Sequence, residues 1–160
     1  MFDIAQWGLD MDNTGPVELI YTEPGKGLIF KYANGAQLIH RPREGKQDCH
    51  FVGTEGEVRV ARGELIVTPD SLKSKEFKEE EAGVYVSTNH YQDFLNAIKS
   101  RKVPICDVEI GHRSATVCNI GNIAYQLQRS LKWNPVKEKF ENDKEANRLT
   151  SRPMKKEWRV

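Results

Sequence analysis

The sequence predicts an α+β fold: an open, mainly antiparallel β-sheet with helices packed on one face. Three observations carry this. Short runs of alternating polarity fill the first half of the chain, and periodic stretches fill the second. The turns between the runs are short, which suits antiparallel pairing, because parallel strands need crossovers of a dozen or more residues. From Asp107 to Trp133, apolar residues recur at Val117, Ile120, Ile123, Ala124, Leu127 and Leu131, steps of three and four that share one helical face. Strands first and helices later is the α+β order. At 160 residues the chain reads as a single domain, with 136–160 as a C-terminal arm.

The elements follow in order. Residues 1–9 have a helical pattern with Phe2, Ala5 and Leu9 on one side. The chain starts inside this element with no cap, which predicts further sequence upstream. DMDNTGP, 10–16, is turn chemistry. Val17, Leu19 and Tyr21 form one strand face, and Leu28, Phe30 and Tyr32 another. Asn34-Gly35 is a hairpin signal, expected as a type I′ turn with both central residues at positive φ. The return strand is Ala36 to His40, and 42–47 is a polar tip. A second hairpin turns at Thr54-Glu55-Gly56, followed by a strand over 64–67 that closes at Thr68-Pro69. The charged stretch 70–83, with its Glu79-Glu80-Glu81 run, reads as a solvated excursion. A short strand is expected at 84–86. A helix over 89–101 follows, capped by Ser87, Thr88 or Asn89, with Tyr91, Phe94, Leu95 and Ile98 as its inner face.

The long helix is capped at Asp107, stopped by Asn134-Pro135, and about 35–40 Å long. Gly111 and Gly121 cost it propensity and are expected to admit another backbone closely. In the tail, Asn142 or Asp143 can cap a helix reaching Thr150. Phe140, Leu149, Met154 and Trp158 are its spaced apolar anchors. The strand residues opposite the core face include Ile20, Ile29 and Ile39, an apolar outer face that predicts a sheet-to-sheet homo-oligomer.

Composition narrows the function. Lys plus Arg is 24 against 23 for Asp plus Glu, which argues against a dedicated nucleic-acid binder. Mean hydropathy is −0.63 with no long apolar run, so no membrane span is expected. Cys49, Cys106 and Cys118 lack disulfide or zinc spacing and read as reduced thiols of a cytoplasmic protein. His40, His50, His90 and His112 form no metal-binding pattern. No glycine-rich phosphate loop follows an apolar strand, and no nucleophile turn is present, so neither a cofactor-binding nor a catalytic residue is assigned in this chain. His112 and Arg113, in the first turns of the long helix, can bind an anionic or hydroxylated ligand, or can be a solvated or capping pair. Asp12 and Asn13 can hydrogen-bond the hydroxyls of a ligand, or simply form the turn. Trp7 can be a stacking platform or a core residue.

Several blocks together resemble one family. FDIAQWGL at 2–9, MDNTGPVE at 11–18, Asn34-Gly35, FVGTEGEVRVARGEL at 51–65, the stretch from His90 to Ala124, Leu131 to Pro135 and NDKEANRL at 142–149 resemble, in that order, the C-terminal half of NAD(P)-dependent oxidoreductases of the glucose–fructose oxidoreductase, inositol dehydrogenase and MocA family. The resemblance implies a C-terminal α+β domain that binds a sugar or cyclitol and mediates oligomers. The family's Rossmann domain, which holds NAD(P) and supplies a catalytic Lys, would lie upstream. Its Asp and His motif would also end just before Met1. Asp3 matches the trailing Asp of that motif and is expected to orient the helix start. The resemblance thus implies a chain that is not catalytic alone, with no cofactor of its own; Trp7, Asp12, Asn13, His112 and Arg113, read from their own chemistry, are the candidate substrate contacts. The alternative is a free-standing homo-oligomeric sugar-binding module without catalysis. A hydrolase would need a carboxylate pair, and none is found by spacing.

Overall fold

The computed structural model describes residues 1–41, 47–74, 85–155 and 157. Its elements are α1 (Phe2–Gly8), β1 (Glu18–Tyr21), β2 (Leu28–Lys31), β3 (Gln37–His40), β4 (Cys49–Val52), β5 (Glu57–Ala61), β6 (Glu64–Thr68), a 3-10 turn (Asp70–Ser74), α2 (His90–Ser100), α3 (Val108–Leu127), β7 (Leu131–Asn134), β8 (Lys139–Phe140) and α4 (Lys144–Arg148). The fold is α+β, and every strand pair among the described residues is antiparallel. The chain read as one domain divides into two compact units. One is Met1 with Lys46–His112, and the other is Phe2–Gly45 with Arg113–Val160.

The second of these units is discontinuous in sequence and holds the five-stranded sheet, in the order β3-β2-β1-β7-β8. Alternation sets its two faces. Leu19, Phe30 and Leu38 lie side by side on the core face, as do Tyr21, Leu28 and His40. Val117, Ile120, Ile123 and Ala124 of α3 are buried in the same cluster as Leu19, Leu28 and Phe30, so the sheet is backed on this face. The β2–β3 hairpin turns at Asn34-Gly35, but not as type I′. Only Gly35 has positive φ (89°); its N–H bonds the Tyr32 carbonyl, and the Asn34 side chain accepts from the Ala36 N–H. The turn therefore needs one left-handed residue rather than two. On the outer face Ile20, Ile29 and Ile39 stand directly opposite one another, with Ile39 49% exposed.

The long helix is shorter than its pattern suggested. It ends at Leu127, and Gln128 has φ 52°, which breaks the helix. Leu131 and Trp133, placed on the helix by spacing, instead lie in β7 with both side chains buried. A step of four from Leu127 fits a helix, but a step of two from Leu131 to Trp133 fits the strand that pairs with β1. Gly121 is a point of close packing, although its neighbour is a side chain rather than a backbone: a Cβ there would meet the Phe30 ring at 2.8 Å. At Gly111 a Cβ would meet nothing within 4 Å among the described residues, which show no close approach there.

The tail read as an arm contributes structure as far as Arg148. Phe140 is buried in β8 against the Trp133 ring, and Ala146 of α4 is buried. Asp143 caps α4, as its short acceptor side chain permits, and is itself held by Arg129. Asn147 acts like a piece of strand: it accepts from the Phe140 N–H and donates back to the Phe140 carbonyl at 2.7 Å. Met154 is exposed, and Trp158 lies outside the described residues.

The other unit carries a separate three-stranded sheet, β4-β5-β6, so the predicted strands fall into two sheets rather than one. Its hairpins turn at Thr54-Glu55-Gly56 and at Arg62-Gly63. Asn89 caps α2, accepting from the Gln92 N–H at 3.0 Å, and Arg101 ends it in a left-handed conformation. The inner face expected for this helix is not buried among the described residues. Tyr91 is 73% exposed and Phe94 59%, because periodicity shows which residues share a face and not whether anything packs on it. Tyr85 and Val86 are not in a strand. The polar tip at 42–46, Val84, and the acidic run Glu79-Glu80-Glu81 lie outside the described residues.

Candidate functional site

The candidate site is the loop that leaves α1. The helix closes on Asp10, whose φ of 57° reverses the chain, with its N–H donated to the Trp7 carbonyl at 2.9 Å. Two further backbone bonds shape the loop. The Met11 N–H goes to the Gln6 carbonyl at 2.8 Å, and the Thr14 N–H to the Met11 carbonyl at 3.1 Å. Trp7 stands on the outside of the helix, 51% exposed, so it is not a core residue. In the loop, Asn13 is exposed and Asp12 is half-buried. Asp3, at the start of α1, accepts from the Ser114 hydroxyl at 2.8 Å and so ties that helix to α3.

Asp12 is the unusual group. Its Oδ1 is buried and has no hydrogen-bond partner among the described residues. Burial pushes its carboxyl above the usual range, and the charges of Asp3 and Asp10 push the same way. A half-buried carboxylate with a spare acceptor is costly to the fold, and such groups concentrate where ligands are bound.

Arg113 and His112 fall elsewhere. The Arg113 guanidinium donates to the Pro135 carbonyl at 2.9 Å and pairs with Glu138 at 3.2 Å, so it fastens the β7–β8 turn. His112 is exposed and belongs to the unit that carries α2. Of the five residues proposed from sequence, the α1 end and its loop hold Trp7, Asp12 and Asn13.

Two residues of this region were missed by pattern reading. Gln6 is 0% exposed, and Tyr32 is buried at 3%. The signal for Gln6 was present: with Phe2, Ala5 and Leu9 it completes the 2, 5, 6, 9 spacing of a buried helical face, and it is the polar member of that set. A second polar cluster lies at the edge of the core. His40 Nδ1 and the Tyr125 hydroxyl are 2.7 Å apart, with the Phe2 and Tyr21 rings against them. Burial holds the His40 imidazole below its usual pKa.

A depression of about 460 Å³ lies on the outer face of the five-stranded sheet, over Ile29 and Ile39 and beside Lys26 and Arg41. The Asp12 loop does not line it. No group of three His, Cys, Asp or Glu side chains among the described residues is placed to hold a metal ion. No helix among them is long and apolar enough to cross a membrane. Dinucleotide cofactors of the Rossmann type sit on a parallel β-α-β unit. The antiparallel strand pairs described here do not form one.

An antiparallel sheet backed by a long helix, with a polar loop between the first helix and the first strand, defines an α+β domain. The particular family follows from comparison: the family described as "Oxidoreductase family, C-terminal alpha/beta domain" matches residues 2–160, and the chain belongs to it. No curated protein and no solved structure matches the chain.

Proposed function

We propose that this domain binds the substrate of an NAD(P)-dependent sugar or cyclitol oxidoreductase and joins copies of the enzyme, without being catalytic alone. The observation that carries the reading is the Asp12 loop: a half-buried carboxylate at Asp12, an exposed amide at Asn13 and an exposed indole at Trp7 on one short segment. Carboxylate and amide suit the vicinal hydroxyls of a polyol, and an indole suits the apolar face of its ring. Hydride transfer also needs a held nicotinamide and a base within hydrogen-bond reach of the substrate hydroxyl. The family resemblance assigns both to an upstream domain. A cytoplasmic setting belongs to the same reading and is supported by the free thiols of Cys49, Cys106 and Cys118.

The oligomer contact in this reading is the outer face of the five-stranded sheet. Ile20, Ile29 and Ile39 form a continuous apolar row across three strands, flanked by the Glu18–Lys31 pair. Such a row in water is supported better by a second copy than by solvent.

The test is a titration with myo-inositol and with glucose followed by amide and indole NMR signals. Shifts confined to Trp7 and residues 11–14 are expected. No shift up to about 50 mM, far weaker than ordinary substrate affinity, would refute the site. Sedimentation of the parent and of Ile29→Lys tests the contact: the parent is expected as a dimer and the variant as a monomer, and a parent that stays monomeric at micromolar concentration refutes it.

A further inference from the structure

Gln6 sits on the apolar side of α1, completely buried, where a polar amide is costly unless each of its groups is bonded. The structure satisfies it in one particular way. Nε2 donates to the Met11 carbonyl at 3.0 Å and to the Thr14 carbonyl at 3.2 Å. Oε1 accepts from the Tyr32 hydroxyl at 2.5 Å. Both amide protons thus go to the loop, and the amide oxygen goes to the sheet. The arrangement also fixes which way the amide points. The Met11 and Thr14 carbonyls can only accept, so the group facing them is Nε2, which leaves Oε1 to accept from the Tyr32 hydroxyl. Tyr32 in turn is set by its place at the end of the β2–β3 hairpin, where its own backbone closes the turn.

The two carbonyls that Gln6 holds lie on either side of Asp12 and Asn13 in the chain. We propose that Gln6 and Tyr32 are positioning residues: together they hold residues 11–14 in a ligand-ready shape, so that a polyol meets Asp12 and Asn13 without first ordering the loop. This rests on the reading of that loop as the polyol contact. Physically, the order of a short polar loop is supplied from beneath, by a buried amide, instead of by the ligand. A loop already fixed loses less entropy on binding.

Two variants separate the positioning role from simple stability. Tyr32→Phe keeps the ring and removes only the donor to Gln6. Gln6→Glu keeps the length and the acceptor but removes both donors to the loop. Each is compared with the parent well below its unfolding temperature, by amide hydrogen exchange and by myo-inositol titration. The expected result is faster exchange at residues 11–14, unchanged exchange over Val117–Ala124 of α3, and myo-inositol affinity weakened about tenfold. If Gln6→Glu does not fold, Tyr32→Phe alone decides.

Parent-like myo-inositol affinity in a folded variant would overturn the positioning role while leaving the loop as the binding site. A parent chain that binds no polyol would overturn the functional reading and the inference with it. Equal acceleration of exchange across the loop and α3 would mean that the pair serves stability alone, and would also overturn the inference.

Discussion

Gly111 and Gly121 lie ten residues apart in α3 and should respond to alanine with opposite sign. Each substitution gains the same intrinsic term, about 1 kcal/mol of helix propensity, because alanine has less backbone freedom to lose. At Gly111 nothing among the described residues lies within 4 Å of the new Cβ, so that term acts alone. Gly111→Ala is expected to stabilise by about 1 kcal/mol, raising Tm by about 2–4 °C for a chain of this size. At Gly121 the new Cβ would lie 2.8 Å from Cζ and 3.3 Å from Cε1 of Phe30. The ring is fully buried and also packs on Phe2, with the two rings edge-on at 5.6 Å between centroids. Forcing a methyl against such a ring costs about 1–3 kcal/mol. The net effect of Gly121→Ala therefore runs from about zero to about 2 kcal/mol against folding. Since the propensity term is common, the difference between the two variants measures overpacking directly, about 1–3 kcal/mol. Urea denaturation followed by circular dichroism gives both values. Equal stabilisation by the two variants would refute the argument, since it would show that the Phe30 ring yields without cost.

Three further outcomes are expected. Asn147→Ala removes three hydrogen bonds, to the Phe140 N–H and to the carbonyls of Phe140 and Asp143, and should cost about 2–3 kcal/mol; an unchanged Tm would show that water replaces them. Because burial lowers the His40 pKa from 6.5, the unfolded chain takes up that proton first on acidification. Stability should then fall as pH drops through 6.5 and level off below the folded-state value, and His40→Gln should flatten that part of the urea midpoint–pH curve. Asp12→Asn should raise the urea midpoint at pH 7, since the native site disfavours the charge. The gain should vanish at about pH 3, where the parent carboxyl is also neutral, and a destabilised variant at pH 7 would contradict the burial argument.

Much of this fold could be read before any coordinates. The hairpins at Asn34-Gly35 and Thr54-Glu55-Gly56, the buried stripe of α3 and the short sets of cap candidates that contain Asn89 and Asp143 follow from local chemistry, and local chemistry is what a sequence displays. The failures share a different cause. Leu131 satisfied the helical step from Leu127, and only its long-range pairing with Leu19 makes it a strand residue. The partition of β1–β6 between two sheets depends on which edges meet, which no alternation pattern encodes. For Arg113 the sequence left a ligand group and a solvated or capping residue both open, and its partners Pro135 and Glu138 lie more than twenty residues away, beyond the reach of local pattern. At the candidate site the loop was visible through its turn residues, whereas the support beneath it was not, although Gln6 stood at a core position from the outset.

The pairing of β1 with β7 also has a consequence in time. Leu19 meets Leu131, more than a hundred residues later in the chain. At ordinary rates of synthesis those residues take about 5–20 s to appear. Throughout that interval β2 can close one side of β1, while the other side faces the cell with its donors and acceptors unclaimed, a template for any neighbouring strand. A nascent chain that stalls, or a transcript cut short, before residue 131 never closes that side. Its hazard lies in association with its own siblings rather than in the loss of a few kcal/mol, and it is set by the order in which the ribosome delivers the strands.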